Sequence, residues 1–267
     1  MKKLSIALLA FSIAAVSCTS TKTSSSSTAK IAKPSASIIQ QNPFYEMRTY
    51  YAAPGKLADL NARFRNNTMR IFAKHGIVNL GYWVPVENPD NKLIYFLSYP
   101  SREARDLSWK AFSADPEWQA VAKASEANGK LVAKVESVFM ENTDYSPAFK
   151  DAMDNSSRMY ELRTYTASAG NIDNLHDRFR NYTLGLFKKH SITNIAYFKP
   201  TDEKQKDVLI YLIAHKDKPA ADASWKAFRE DPEWVAAKAA SEVKGGGSLT
   251  TNVASVYMMS TDYSPIK

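Results

Sequence analysis

Two hexapeptides, "YEMRTY" at Tyr45 to Tyr50 and "YELRTY" at Tyr160 to Tyr165, place an acid, a guanidinium and a phenol at alternate positions. Alternate residues of an extended strand share a face, so Glu46, Arg48 and Tyr50 form one row and Glu161, Arg163 and Tyr165 another. Such a row admits cofactor-free chemistry. Glu46 or Glu161 would act as general base, the neighbouring arginine would stabilise an anionic intermediate, and Tyr50 or Tyr165 would donate a hydrogen bond. The same residues admit a structural role, because a buried charge is costly unless paired. Each glutamate would then tie its own arginine, or that of the other copy, and lock two sheets in register.

His75 and His190 close the motifs "AKHG" and "KKHS". Counted at 100° per residue from Leu57, His75 falls on the buried stripe of a helix, at its C-terminal end. A histidine there answers the helix C-terminus and a nearby Tyr or Thr; a haem or acid–base role is the competing reading. No His, Cys or carboxylate cluster at ligand spacing accompanies it, so no metal site is expected. Arg63, Asn66 and Arg70 lie near the opposite side of that helix and read as a solvated face. Trp109, Phe112 and Trp118, with Trp225, Phe228 and Trp234, surround an Asp-Pro break in each copy and read as core, with Asp115 and Asp231 as helix caps. There is no Gly-rich phosphate loop, G-x-S-x-G elbow or H-E-x-x-H motif. Gly245 to Gly247 read as a loosened turn.

The elements that must carry these residues are legible from period and punctuation. Tyr45 to Tyr51 alternates as a strand, Pro54-Gly55 breaks it, and Lys56 to Lys74 is helical until Gly76. Val78 to Val84 and Leu93 to Tyr99 read as strands joined by a polar loop. Ser101 to about Lys130 is helical in two pieces, split where Asp115 caps and Pro116 enters the first turn, and Val135 to Met140 is a last strand. The order β-α-β-β-α-β is the ferredoxin-like unit.

Everything then repeats. At a shift of 115 residues, Phe44 to Trp83 overlies Met159 to Phe198 with about half the positions identical; "SWKAFSADPEW" returns as "SWKAFREDPEW" and "NTDYSP" as "STDYSP". The expected organisation is a first unit over 43–147, a linker over 148–157 and a second unit over 158–266. One such sheet covers a single face with helices, so the other face needs a cover, and the second copy supplies it. The expected fold is α+β: two ferredoxin-like units facing one another as an intramolecular barrel wrapped by helices. Tyr45, Met47 and Thr49 are apolar enough to meet helices, which by elimination points Glu46, Arg48 and Tyr50 into the space between the sheets.

Ahead of the repeats, two lysines, a short apolar run from Leu4 to Val16 and small residues before Cys18 have the layout of a bacterial export signal, residues 1–17. Ala-Val-Ser before Cys18 resembles the lipobox of bacterial lipoproteins, though Ala15 stands where a Leu is usual. The resemblance implies lipidation of Cys18 and a protein held to a membrane of the bacterial cell envelope. Residues 18–42 are Ser/Thr-rich and form a tether. The formal charge is +8, and +6 without Lys2 and Lys3. Basic residues are scattered among acids, which argues against nucleic acid as a partner.

The motifs together resemble those of the NIPSNAP family: a Y-E-x-R-x-Y strand, a Gly, a helix with R-F-R, a K-H-G-I end, and a W-x-x-F-x-x-D-P-E-W segment. Both copies match, with Met47, Tyr51 and Ser191 as small departures. The resemblance implies the dimeric α+β barrel superfamily and little about activity. Eukaryotic members are largely mitochondrial and associated with protein interactions and vesicle-related roles, while similar barrels serve as monooxygenases, isomerases and haem enzymes, an analogy of fold. The expected function is a binding module for a small molecule or protein, with no cofactor and with room for further oligomerisation. The alternative is a cofactor-free or haem-dependent oxygenase or isomerase using the barrel lumen.

Overall fold

The structure is a computed structural model that describes residues 43–149 and 158–267. The expected signal, the Cys18 site, the whole of the expected tether and most of the expected linker lie outside the described residues. The first half runs β1 (Phe44–Ala52), α1 (Leu57–Arg63), a π turn (Phe64–Thr68), α2 (Met69–Lys74), β2 (Val78–Pro85), β3 (Lys92–Tyr99), α3 (Arg102–Ala114), α4 (Pro116–Ser125) and β4 (Val132–Asn142). The second half repeats it as β5 (Met159–Ala167), α5 (Ile172–Arg178), a π turn (Phe179–Thr183), α6 (Leu184–Lys189), β6 (Thr193–Pro200), β7 (Val208–His215), α7 (Lys218–Glu230), α8 (Pro232–Lys244) and β8 (Thr250–Ser260). No helix among the described residues is long and apolar enough to cross a membrane.

All eight strands close into one antiparallel barrel in the order β1-β3-β2-β8-β5-β7-β6-β4. Within each half the helices cover the outer face of the sheet, and the two inner faces meet. In the lumen Tyr45, Met47, Trp83, Ile94, Phe96 and Met140 pack against Tyr160, Leu162, Phe198, Ile210, Leu212 and Met258. Phe149, assigned to the linker by sequence, and Ile266 join this cluster, buried to 3% and 0% exposure.

The strand faces are therefore the reverse of the expected ones. Tyr45 and Met47 enter the lumen, while Glu46, Arg48 and Tyr50, with Glu161, Arg163 and Tyr165, lie on the helix-covered face. The lumen of a small barrel is enclosed by strands alone and offers no side-chain donors from helices, so it takes the apolar row. The other face meets α3 or α7: α3 brings Arg105 and Trp109 to the charges, and α7 brings Trp225.

The halves are also joined by exchange of their last segments. β4 pairs with β6, and β8 with β2. Beyond each strand the repeated Thr-Asp-Tyr-Ser crosses to the other half. Asp262 takes both Arg65 Nε and Nη2 at 2.6 Å, and Asp144 takes Arg180 Nε at 2.6 Å and Nη2 at 2.8 Å. Tyr263 donates to Asn61 Oδ1 at 2.6 Å, and Tyr145 meets His176 Nδ1 at 2.7 Å. Ser264 and Ser146 accept from the backbone N–H of Tyr82 and Tyr197.

The first helix of each half is interrupted by its π turn, where Thr68 and Thr183 hydroxyls donate to the carbonyls of Arg63 and Arg178 at 3.2 and 3.1 Å. This satisfies carbonyls that the altered ladder leaves short. Arg63 is not on a solvated face as expected. It is buried against α4, with its guanidinium 5.3 Å from the Trp118 ring, and Arg178 repeats this on Trp234. The first helix is buried on two flanks, by the sheet on one and by α4 on the other, so it has no single buried stripe.

The turn after the first helix holds Gly76 at φ 73° and Ser191 at φ 60°. A side chain in that left-handed conformation costs about 1 kcal/mol where glycine does not. Ser191→Gly is expected to raise the stability by about 0.5–1 kcal/mol, and the reverse change Gly76→Ser to lower it similarly, as measured by chemical denaturation.

Candidate functional site

Each hexapeptide builds a buried polar cluster between its sheet and the following long helix. In the first half the Glu46 carboxylate is fully buried. It accepts Arg48 Nη1 at 2.5 Å, Arg105 Nε and Nη2 at 2.9 Å each, and Tyr99 OH at 3.1 Å. Arg48 also donates from Nε to Tyr95 OH at 3.0 Å and lies 4.3 Å from the Trp109 ring, whose Nε1 donates to Tyr99 OH at 2.8 Å. One carboxylate thus meets two guanidinium groups, one of them in the bidentate geometry that arginine favours.

The second half reaches the same end by different donors. Glu161, also fully buried, accepts Arg163 Nη1 at 2.5 Å, Ser255 Oγ at 2.6 Å and Trp225 Nε1 at 2.8 Å, and meets His215 Nε2 at 2.9 Å. Arg163 stacks 4.5 Å from Trp225 and donates to Tyr165 OH at 3.0 Å. Alignment of the copies puts Ala221 where the first has Arg105, and His215 where it has Tyr99. Losing one arginine is offset by a histidine and a serine.

Burial alone would push both carboxyls up. For Glu46, the Arg105 hydrogen bonds and the charges of Arg48 and Arg105 outweigh burial, and the carboxyl titrates below its ordinary range. For Glu161, the His215 hydrogen bond, the Arg163 charge and the Ser255 and Trp225 donors bring it down to about 2. A carboxylate held this low, with its lone pairs occupied, is a poor proton acceptor. What the arrangement does well is hold charge rigidly between a sheet and a helix.

His75 and His190 stand apart from these clusters. His75 Nε2 meets Asp115 Oδ2 at 2.6 Å, and Lys74 Nζ reaches the same oxygen at 2.7 Å. Asp115 Oδ1 accepts the Glu117 N–H at 2.8 Å as the cap of α4. His190, Lys189 and Asp231 repeat the arrangement. The expected Tyr or Thr partner is instead the capping aspartate, which staples the end of the first helix to the break between the next two. In both halves the Nε2 of the histidine is thus engaged by that aspartate. Among the described residues, no group of three or more His, Cys, Asp or Glu gathers as a metal site.

Arg105, Tyr99, His215 and Ser255 were not singled out from sequence. Arg105 carried a signal, since it precedes Trp109 and Phe112 at i, i+4, i+7 on the buried stripe of α3, where a charge requires a partner. His215 and Ser255 carried none, because their partner is reached only through strand register: Glu161 lies across from Tyr257, two residues from Ser255 on the same face.

The architecture defines the class: a tandem α+β barrel in which two ferredoxin-like units of one chain close a single eight-stranded sheet. The NIPSNAP family model matches residues 45–147 and 160–265, and the chain belongs to that family. It is 25% identical over 226 residues to protein NipSnap homolog 3B of Mus musculus, covering 84% of this chain and 86% of the relative. Among solved structures, a monooxygenase-like protein from Lactobacillus acidophilus superposes with a TM-score of 0.55 at 7% identity, covering 82% of this chain and 94% of that one. An anthrone oxidase-like protein gives 0.54 at 12% identity, covering 82% and 92%. These likenesses are of fold alone.

A group whose folded pKa is depressed stabilises the fold above its unfolded pKa and loses that contribution as pH falls through the folded value. The Glu161 contribution should therefore be full above pH ~4.5 and fade toward pH 2, amounting to about 3 kcal/mol. Glu161→Gln is expected to flatten the stability profile over that window in urea melts recorded at stepped pH.

Proposed function

We propose that this chain is an exported, lipid-anchored NIPSNAP protein that acts as a binding module, holding a small molecule or a protein partner at its outer surface. The observation that carries this reading is the saturation of both buried carboxylates: Glu46 and Glu161 spend their lone pairs on arginine, tyrosine, tryptophan, histidine and serine donors. The packed lumen supports it, because a substrate there would have to displace Tyr45, Phe96, Tyr160 or Phe198. Surface grooves are of ligand size. One of about 480 Å³ runs between Val86 and Glu87 on one side and Met159, Lys218 and Tyr257 on the other. The rigid Glu–Arg clusters serve as scaffold beneath such surfaces.

Cys18 is the residue to which the lipid would be attached, and that attachment would hold the barrel to a membrane of the cell envelope through the polar segment that follows it. Gentle purification of the mature chain followed by native mass spectrometry is expected to show a co-purifying small molecule or protein. That cargo should survive Glu46→Gln and Glu161→Gln. A Soret band, or turnover of a carried molecule abolished by Glu46→Gln, would instead establish the enzymatic reading. Incorporation of a labelled fatty acid should vanish in Cys18→Ser.

A further inference from the structure

The barrel closes over two short seams. β2 and β8 share three rungs, Trp83 with Ser260, Val84 with Met259 and Pro85 with Met258, and the Val86 N–H then reaches the Tyr257 carbonyl at 2.8 Å. β4 and β6 share the equivalent three, and the Thr201 N–H reaches Phe139 O at 2.9 Å. Before those rungs each long strand has a neighbour on one side only, β1 for β4 and β5 for β8. Among the described residues no strand pairs with the outer edge of Thr250–Val256 or of Val132–Val138. Residues 133–137 and 251–255 are accordingly exposed.

A row of unpaired N–H and C=O groups is a template for another strand, and edges are ordinarily guarded by charge, proline or a bulge. The two edges differ in this respect. β4 carries Lys134 and Glu136, paired at 2.5 Å, and Tyr51 OH donates to Glu136 at 2.8 Å. The corresponding positions of β8 are Asn252 and Ala254, and the run "TTNVASVY" from Thr250 to Tyr257 contains no charge, proline or glycine. It leaves Val253 44% exposed. The edge of the second copy lacks the guards that the first carries.

We propose that β8 is a homotypic strand-addition site, its free edge pairing antiparallel with β8 of a second copy of this chain about a two-fold axis. An isologous contact must be self-complementary, and this edge is. A two-fold through Val253 sets Val253 against itself, Asn252 against Ala254, and Thr251 against Ser255. These are small, hydroxyl and β-branched pairs with no like charges opposed. The added strand supplies the missing backbone partners and covers the exposed valine. A second copy is also the one partner present wherever this chain is. The pairing needs neither a lipid anchor nor a bound ligand.

The test is sedimentation velocity of the full chain carrying Cys18→Ser, which removes any lipid from the measurement, over a wide range of concentration. A monomer–dimer equilibrium is expected. Asn252→Lys with Ala254→Lys should abolish it, and so should Asn252→Glu with Ala254→Glu. Mixing the Lys and Glu variants at low salt should restore a heterodimer, which shows that both variants are folded. A chain that stays monomeric throughout would overturn the proposal. So would a dimer that survives in the Lys variant alone, or a monomer whose β8 amide resonances shift only with a foreign extended peptide.

Discussion

A four-stranded sheet with both helices on one side leaves its other face bare, and burying that face is the constraint from which the rest of this molecule follows. Here the cover is a second copy of the same sheet in the same chain. Because both inner faces are apolar, the lumen needs no polar chemistry and is filled with tyrosine, phenylalanine, methionine and aliphatic side chains. The repeated tails then cross between halves. Asp144, Tyr145 and Ser146 and their counterparts Asp262, Tyr263 and Ser264 each belong to one repeat by sequence and bind the other repeat by structure. Packing of the lumen and crossing of the tails make the two halves one cooperative object.

With the lumen filled by the apolar row, the charges of each hexapeptide are confined to the space beneath the long helix. Burying an ion pair there is not favourable in itself, since desolvation offsets the attraction unless further hydrogen bonds complete the carboxylate's shell. Both halves meet that condition, by unlike means. Arg105 and Tyr99 complete Glu46, whereas His215, Trp225 and Ser255 complete Glu161. That two different donor sets converge on one saturated carboxylate argues that saturation itself is what the fold requires. A catalytic base would instead need an open lone pair and a raised pKa.

Much of this was legible in the residues. The duplication, the β-α-β-β-α-β order, the Asp-Pro break and the paired sheets follow from period, punctuation and self-similarity. The facing of β1 did not. Alternation assigns Tyr45 and Glu46 to opposite faces but is silent on which face is which, and the argument from apolarity chose wrongly because both faces of these strands are buried. Arg63 was misplaced for a related reason: its helix touches the sheet on one flank and α4 on another, so a single buried stripe describes it poorly. The crossing of "TDYSP" was hidden because a repeat reads as belonging to itself; only the strand order of the closed barrel shows it entering the other half.

Fusion of the two units also changes what each is free to become. In a barrel built from two identical chains every substitution appears twice, once on each side of the axis. In a tandem chain the copies drift separately, and this one records the result. Arg105 is matched by Ala221, Asn61 by His176, Gly76 by Ser191, and the guarded edge at Lys134 and Glu136 by the neutral Asn252 and Ala254. The changes at Arg105 and Asn61 are compensated locally, by His215 and Ser255 in one case and by the Tyr145–His176 contact in the other. The edge substitutions have no compensating contact within the described residues. Of the two strands with an open outer edge among the described residues, β8 is thus the one on which neither charge nor proline opposes a further strand.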